Sequence, residues 1–241
     1  LLAQIADLVA ELAPVMREDA PASALTVGLK CGGSDALSGL TANPLLGRFS
    51  DRLAGSDGSL VLTEIPEIFG AEEALLARAV SPEVFERAGE LVNRFKRYFL
   101  DQGQPVSKNP SPGNIAGGSP RWKKNRWARC RRAALLEAPG NDAVSSTALA
   151  AAGATLVLFT TGRGTPLGFP VPTVKISSNT ALAQTKPGWI DFDAGRALAE
   201  GVDAVDAAFA DYLLAIASGE PTAAERSDQR VISIWKRGVT L

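Results

Sequence analysis

Histidine is absent from this 241-residue chain. Acid–base chemistry, whose commonest agent is an imidazole, must therefore use Asp, Glu, Lys, Tyr or Cys. The only cysteines are Cys31 and Cys130, too few for a disulfide framework. The expected setting is accordingly a reducing cytoplasm. No apolar run is long enough to read as a membrane span. The apolar N-terminal stretch LLAQIADLVAELAPV carries Asp7 and Glu11 and no basic region, which argues against a signal peptide. The formal net charge of −1 supplies no global attraction to nucleic acid or to a membrane. A starting Met is also missing and the first residues fall inside an apolar pattern, so we expect a piece of a longer protein.

What is present is ordinary for a globular protein. Apolar residues make up 46% of the chain. That length holds one large α/β domain or two smaller ones and buries enough surface to need no staple. Helical spacing is predicted from residue 1 to 15, 45 to 53, 71 to 80, 82 to 100, 142 to 152 and 202 to 217. Ser81 is the expected N-cap of the helix over 82–100, with Pro82 in its first turn. Short apolar runs predict strands at 24–29, 59–65, 155–160 and 172–177, with a final edge strand at 231–235. Strands alternating with helices predict an α/β fold with a mainly parallel sheet flanked by helices.

Four loops, three of them at predicted strand ends, carry candidate chemistry. Cys31-Gly32-Gly33-Ser34-Asp35 offers backbone access for a ligand at the glycines, short polar groups, and a soft metal ligand in Cys31. A tight turn with a buried Cys explains it equally well. Glu64 and Glu67, in TEIPEIFGAE, are carboxylates where a strand runs out, suited to a metal or to a base. Solvated or helix-capping acids are the plainer reading. Asn109, Ser111 and Asn114 lie in the stiff polar loop NPSPGN, suited to a polyhydroxy ligand. Thr161-Gly162-Arg163-Gly164 reads as an anion site: amides between glycines form a nest, and Arg163 grips a carboxylate with two parallel hydrogen bonds. It lacks the Gly-Lys-Ser/Thr ending of a phosphate loop. Lys175 and Asn179 lie on and just after the next strand. Lys175 reads as a surface residue or a substrate contact.

These motifs, in this order, resemble the altronate/galactarate dehydratase family. The resemblance rests on GLKCGGSDALSGLTANPLLGRFSD, LTEIPEIFGAE, NPSPGN, APGNDAVSSTALAAAGA, LFTTGRGTPLG, PTVKISSN, WIDFDAG and the closing GVTL. It covers nearly the whole chain outside residues 119–132. It implies an enzyme of hexuronate breakdown that removes water from D-altronate to give a keto-deoxy sugar acid, with galactarate or a related sugar acid as the alternative substrate. It also implies a divalent metal, usually iron, and an additional N-terminal part of the same enzyme. A non-catalytic remnant that only binds sugar acids is the rival reading. On the enzymatic reading Arg163 and the nearby glycine amides hold the substrate carboxylate, while Cys31, Glu64 or Glu67 approaches the metal. The general base is left unassigned.

Residues 119–135 interrupt the pattern. Ser119 to Arg132 reads SPRWKKNRWARCRR, dense in Lys and Arg and free of acids. Alone it would suggest a nucleic-acid patch. A better account is a shifted reading frame. One coding of these residues, moved by a single base, yields the Ile-Thr-Thr-Leu-Glu-Glu-Lys-Ser-Leu-Gly stretch that the family carries here. The family register returns near Leu136, with an intervening segment lost. No nucleic-acid partner is therefore expected.

Overall fold

The computed structural model describes residues 2–106, 133–238 and 240. Asn109, Ser111, Asn114 and the segment 119–132 lie outside the described residues. The strands are β1 (Thr26–Gly32), β2 (Ser59–Leu62), β3 (Ala133–Leu135), β4 (Leu156–Thr161), β5 (Thr173–Ser177) and β6 (Phe192–Asp193). They form one sheet in the order β3-β2-β1-β4-β5-β6, and all five pairings are parallel. The chain builds outward from β1 to β3, then returns to lay β4 against the other side of β1. The strand order thus reverses between β1 and β4, the place where open parallel sheets leave a crevice at their carboxyl ends.

Why these strands are central follows from their composition. β4 is buried along its full length and so is β5, as expected for strands covered by helices on both faces. On one face Val27, Leu29, Leu158 and Ile176 pack against two helices, Ala42–Gly55 and the long C-terminal helix Val202–Ala217. On the other face the helix Asp142–Ala151 lies close over β1, where a Cβ on Gly28 would come within 2.9 Å of Leu149. A second apolar cluster joins Ile65 and Phe69 to Phe95 and Phe99 of the helix Pro82–Asp101, which Ser81 caps as expected.

Two expectations need correction. Residues 231–235 form no strand. Val231 N–H is bonded to the Gly168 carbonyl, and the Trp235 ring is stacked on Phe95. β6, inside the WIDFDAG motif, takes the sheet edge instead. Ala133 to Leu135, assigned from sequence to the aberrant segment, pair with β2 as β3. The N-terminal helix Leu2–Leu12 forms as expected but buries none of its residues.

Candidate functional site

The loops after β1, β4 and β5 meet at the carboxyl edge of the sheet. Gly162 N–H donates to the Gly33 carbonyl at 2.9 Å, and Ser178 N–H donates to the Thr161 carbonyl at 3.0 Å. The loops at 31–35 and 160–165 therefore share one neighbourhood. Asp35 is its hub. Its Oδ1 accepts from the amides of Leu37 and Ser38 and from the hydroxyls of Ser38 and Ser178; its Oδ2 accepts from Asn179 Nδ2. Burial alone would raise the pKa of Asp35. The hydrogen bonds from Ser178, Ser38 and Asn179 together outweigh it and hold the carboxyl below the usual carboxylate range. Asp35 thus locks three loops together, where its sequence context suggests a substrate contact.

Glycine is required here for space. A Cβ on Gly162 would lie 2.4 Å from Asp35 Cγ, and one on Gly32 would lie 2.3 Å from the Phe159 ring. Gly33 holds φ at +59°, which favours glycine, and the Arg163 side chain lies across it.

The expected amide nest is arranged differently. The amides of Arg163 and Gly164 both donate to Thr161 Oγ1, at 3.2 and 2.9 Å. The Thr161 hydroxyl fills the hollow that an anion would need. Arg163 is an exposed residue of this loop, and its side chain lies against Gly33. Lys175 is no surface residue. It is fully buried, and its ammonium donates to the carbonyls of Pro166 and Leu167, bracing the far end of the same loop. Burial lowers its pKa to about 8, against the opposing pull of Asp191.

Beneath the β1 loop lies a group that sequence reasoning missed. Lys30 is fully buried on β1, and its ammonium is ion-paired with Glu64, bonded to Asp142 Oδ1 at 2.6 Å and to the Cys31 carbonyl at 2.8 Å. Glu64 is equally buried, with a left-handed backbone (φ 63°), and its other oxygen accepts from Cys31 N–H. The Cys31 side chain points the other way, into the apolar core, with its sulfur 2.8 Å from Ser34 Oγ. Glu67 sits half-buried on the turn Ile65–Ile68. Cys31, Glu64 and Glu67 therefore do not converge. Among the described residues no three His, Cys, Asp or Glu side chains gather to hold a metal. With Glu64 neutralising Lys30, the described residues do not fit a metal centre by themselves.

An all-parallel sheet covered by helices on both faces, with its polar loops gathered at the switch point, defines an α/β domain. Similarity to known proteins narrows the class further. The chain belongs to the D-galactarate/altronate dehydratase family and corresponds to the family's C-terminal part, which matches residues 22–121 and 127–240. It is 49% identical to altronate dehydratase of Bacillus subtilis (strain 168) and 46% identical to altronate dehydratase of Escherichia coli (strain K12), in each case over 93% of this chain and 50% of the relative. Galactarate dehydratase (L-threo-forming) of Escherichia coli (strain K12) is 35% identical over 85% of this chain and 43% of the relative. The chain thus spans about half the length of the curated relatives it matches. The aligned stretch with the Bacillus relative runs to 247 residues, more than this whole chain contains, so the relative carries residues there that this chain lacks.

Proposed function

We propose that this chain is the sugar-acid-binding part of a hydro-lyase that dehydrates D-altronate to a keto-deoxy sugar acid, in the cytoplasm and together with an N-terminal part of the same enzyme. The observation that carries the reading is the identity of 49% and 46% to two altronate dehydratases, against 35% to a galactarate dehydratase. The geometry supports it. Dehydration removes a weakly acidic proton beside a carboxylate, so the developing charge needs a fixed cation. Arg163 offers a planar pair of donors at the switch-point crevice, suited to a carboxylate. The hydroxyl- and amide-rich rim of Ser177, Ser178 and Asn179 is occupied in holding the loops and fixes where Arg163 can stand. Iron enters the proposal only with ligands from beyond the described residues.

Titration calorimetry of the chain with D-altronate, galactarate and a neutral polyol tests the substrate class. Altronate should bind best, the polyol should not bind, and Arg163→Ala should abolish the difference. Equal binding of all three would remove the sugar-acid reading.

A further inference from the structure

Gly32 and Gly33 form a two-residue floor at the switch point, with charged side chains of opposite sign beside them. A Cβ on Gly32 would stand 3.1 Å from Asp142 Oδ2, and one on Gly33 would stand 3.3 Å from Arg163 Cδ. The carboxylate and the guanidinium loop therefore flank adjacent residues at the end of β1, where the Phe159 ring packs against Gly32 and the Arg163 side chain crosses Gly33. Asp142 opens the helix Asp142–Ala151, and its backbone is fixed by Asn141, whose Oδ1 accepts from the amides of Ala143 and Val144 at 3.1 Å. Lys30 and Glu64 have no solvent access, whereas the Asp142 side chain is 39% exposed. One buried ammonium thus faces two carboxylates, and only that of Asp142 is open to solvent. With Glu64 balancing Lys30, Asp142 can gain a proton without leaving a buried ion uncompensated, which would be strongly destabilising.

We propose that Asp142 is the catalytic residue that takes the proton from the carbon next to the carboxylate of a sugar acid held by Arg163, and that Lys30 and Glu64 are positioning residues for it. The proposal rests on the sugar-acid reading above. In the step, the carbon–hydrogen bond breaks, the proton moves to Asp142, and the electron pair spreads into the substrate carboxylate facing Arg163. Return of a solvent proton to the same carbon makes the step visible without completed dehydration. This carboxylate is solvent-accessible and stands beside Gly32, one residue from the glycine that Arg163 crosses.

Proton NMR of D-altronate in heavy water with the 241-residue chain tests the assignment. The signal of the proton beside the carboxylate should fade with the wild-type chain. Asp142→Asn should bind altronate as the wild type does and exchange roughly 100-fold more slowly or less, the scale of a lost general base. Asp142→Ser, also compatible with a helix start, is the second variant. Wild-type binding without exchange, exchange at the wild-type rate in either variant, or loss of binding in both would overturn the assignment; the last would make Asp142 a binding group. A wild-type chain that binds no sugar acid would remove the underlying reading itself.

Discussion

Asn179 Nδ2 donates to Asp35 Oδ2 at 2.9 Å across 144 positions of sequence. The same amide nitrogen also donates to the Gly162 carbonyl, while Asn179 Oδ1 accepts from Leu182 N–H. One side chain therefore ties the loop after β5 to those after β1 and β4 and starts the following helix. The site is held by this cross-bracing, so its weak points can be named.

Asp35→Asn should destabilise the chain by about 2 kcal/mol, the scale of hydrogen bonds to a charged acceptor. The new amide would set donor against donor opposite Asn179. The pH dependence has a definite sign. Because the folded carboxyl titrates below its ordinary value of 3.8, its stabilisation is present above that pH and is lost as the pH falls through the lower folded value. Denaturant melts between pH 2 and 6, taken as roughly the carboxylate range, should show a steeper acid loss in the wild type than in the variant. Parallel curves would show that Asp35 is not the hub.

Gly162→Ala tests the close approach at the same point. The added methyl meets the Asp35 side chain at 2.4 Å, so the loop must shift. Overpacking of this kind costs about 1–3 kcal/mol. The stronger expectation is functional: altronate affinity should fall more than the melting temperature alone accounts for, because Arg163 follows directly. Unchanged affinity in a folded variant would separate this loop from the site.

Lys175 yields a prediction of opposite pH sense. Its pKa is lowered from 10.5 to about 8 in the folded chain. Between those values the unfolded chain binds the extra proton, so stability gains from Lys175 as the pH rises from about 8 to 10.5. The whole rise amounts to about 3 kcal/mol, because each pH unit between the two values contributes about 1.36 kcal/mol. Lys175→Met should flatten that rise, while leaving the Pro166 and Leu167 carbonyls without their donor. Wild-type and variant stability curves that remain parallel through this range would show that the lysine keeps its ordinary titration.

Four of the six strands are legible in the sequence as short apolar, β-branched runs, two of them ending in glycine-rich turns, while the short edge strands β3 and β6 are not. Loop clustering follows, since parallel strands bring all their carboxyl ends to one edge. The Lys30–Glu64–Asp142 network is not legible, because its partners are 34 and 112 positions apart in sequence and only the register of β1 brings them together. A signal does exist: a lysine in the middle of an otherwise apolar central strand must find buried counter-charge. The amide nest fails for a local reason, as the hydroxyl of Thr161 competes for the same amides. The strand expected at 231–235 is a β-branched run whose packing against Phe95 and Gly168 overrides its propensity.

The last prediction concerns residues 119–135. The family match skips 122–126, and the Bacillus relative carries residues in the aligned stretch that this chain lacks. Both observations bear on a frame lesion with a lost segment. On the described side of the lesion, β3 is only three residues long and lies at the sheet edge, with Ala133 and Ala134 exposed. Next to it a groove of about 290 Å³ is lined by Val84, Arg87, Leu91, Arg94 and Leu135. Val84 and Phe85 are 42% and 48% exposed on the adjoining helix. Both side chains are already about half covered, so a native segment that buried the rest would contribute about 1 kcal/mol for each. Restoring the frame and the missing residues should therefore raise the melting temperature by several degrees, since 1 kcal/mol shifts a domain of this size by roughly 2–4 °C. A restored protein that melts no higher than the present chain would mean that the frame-shift account is wrong.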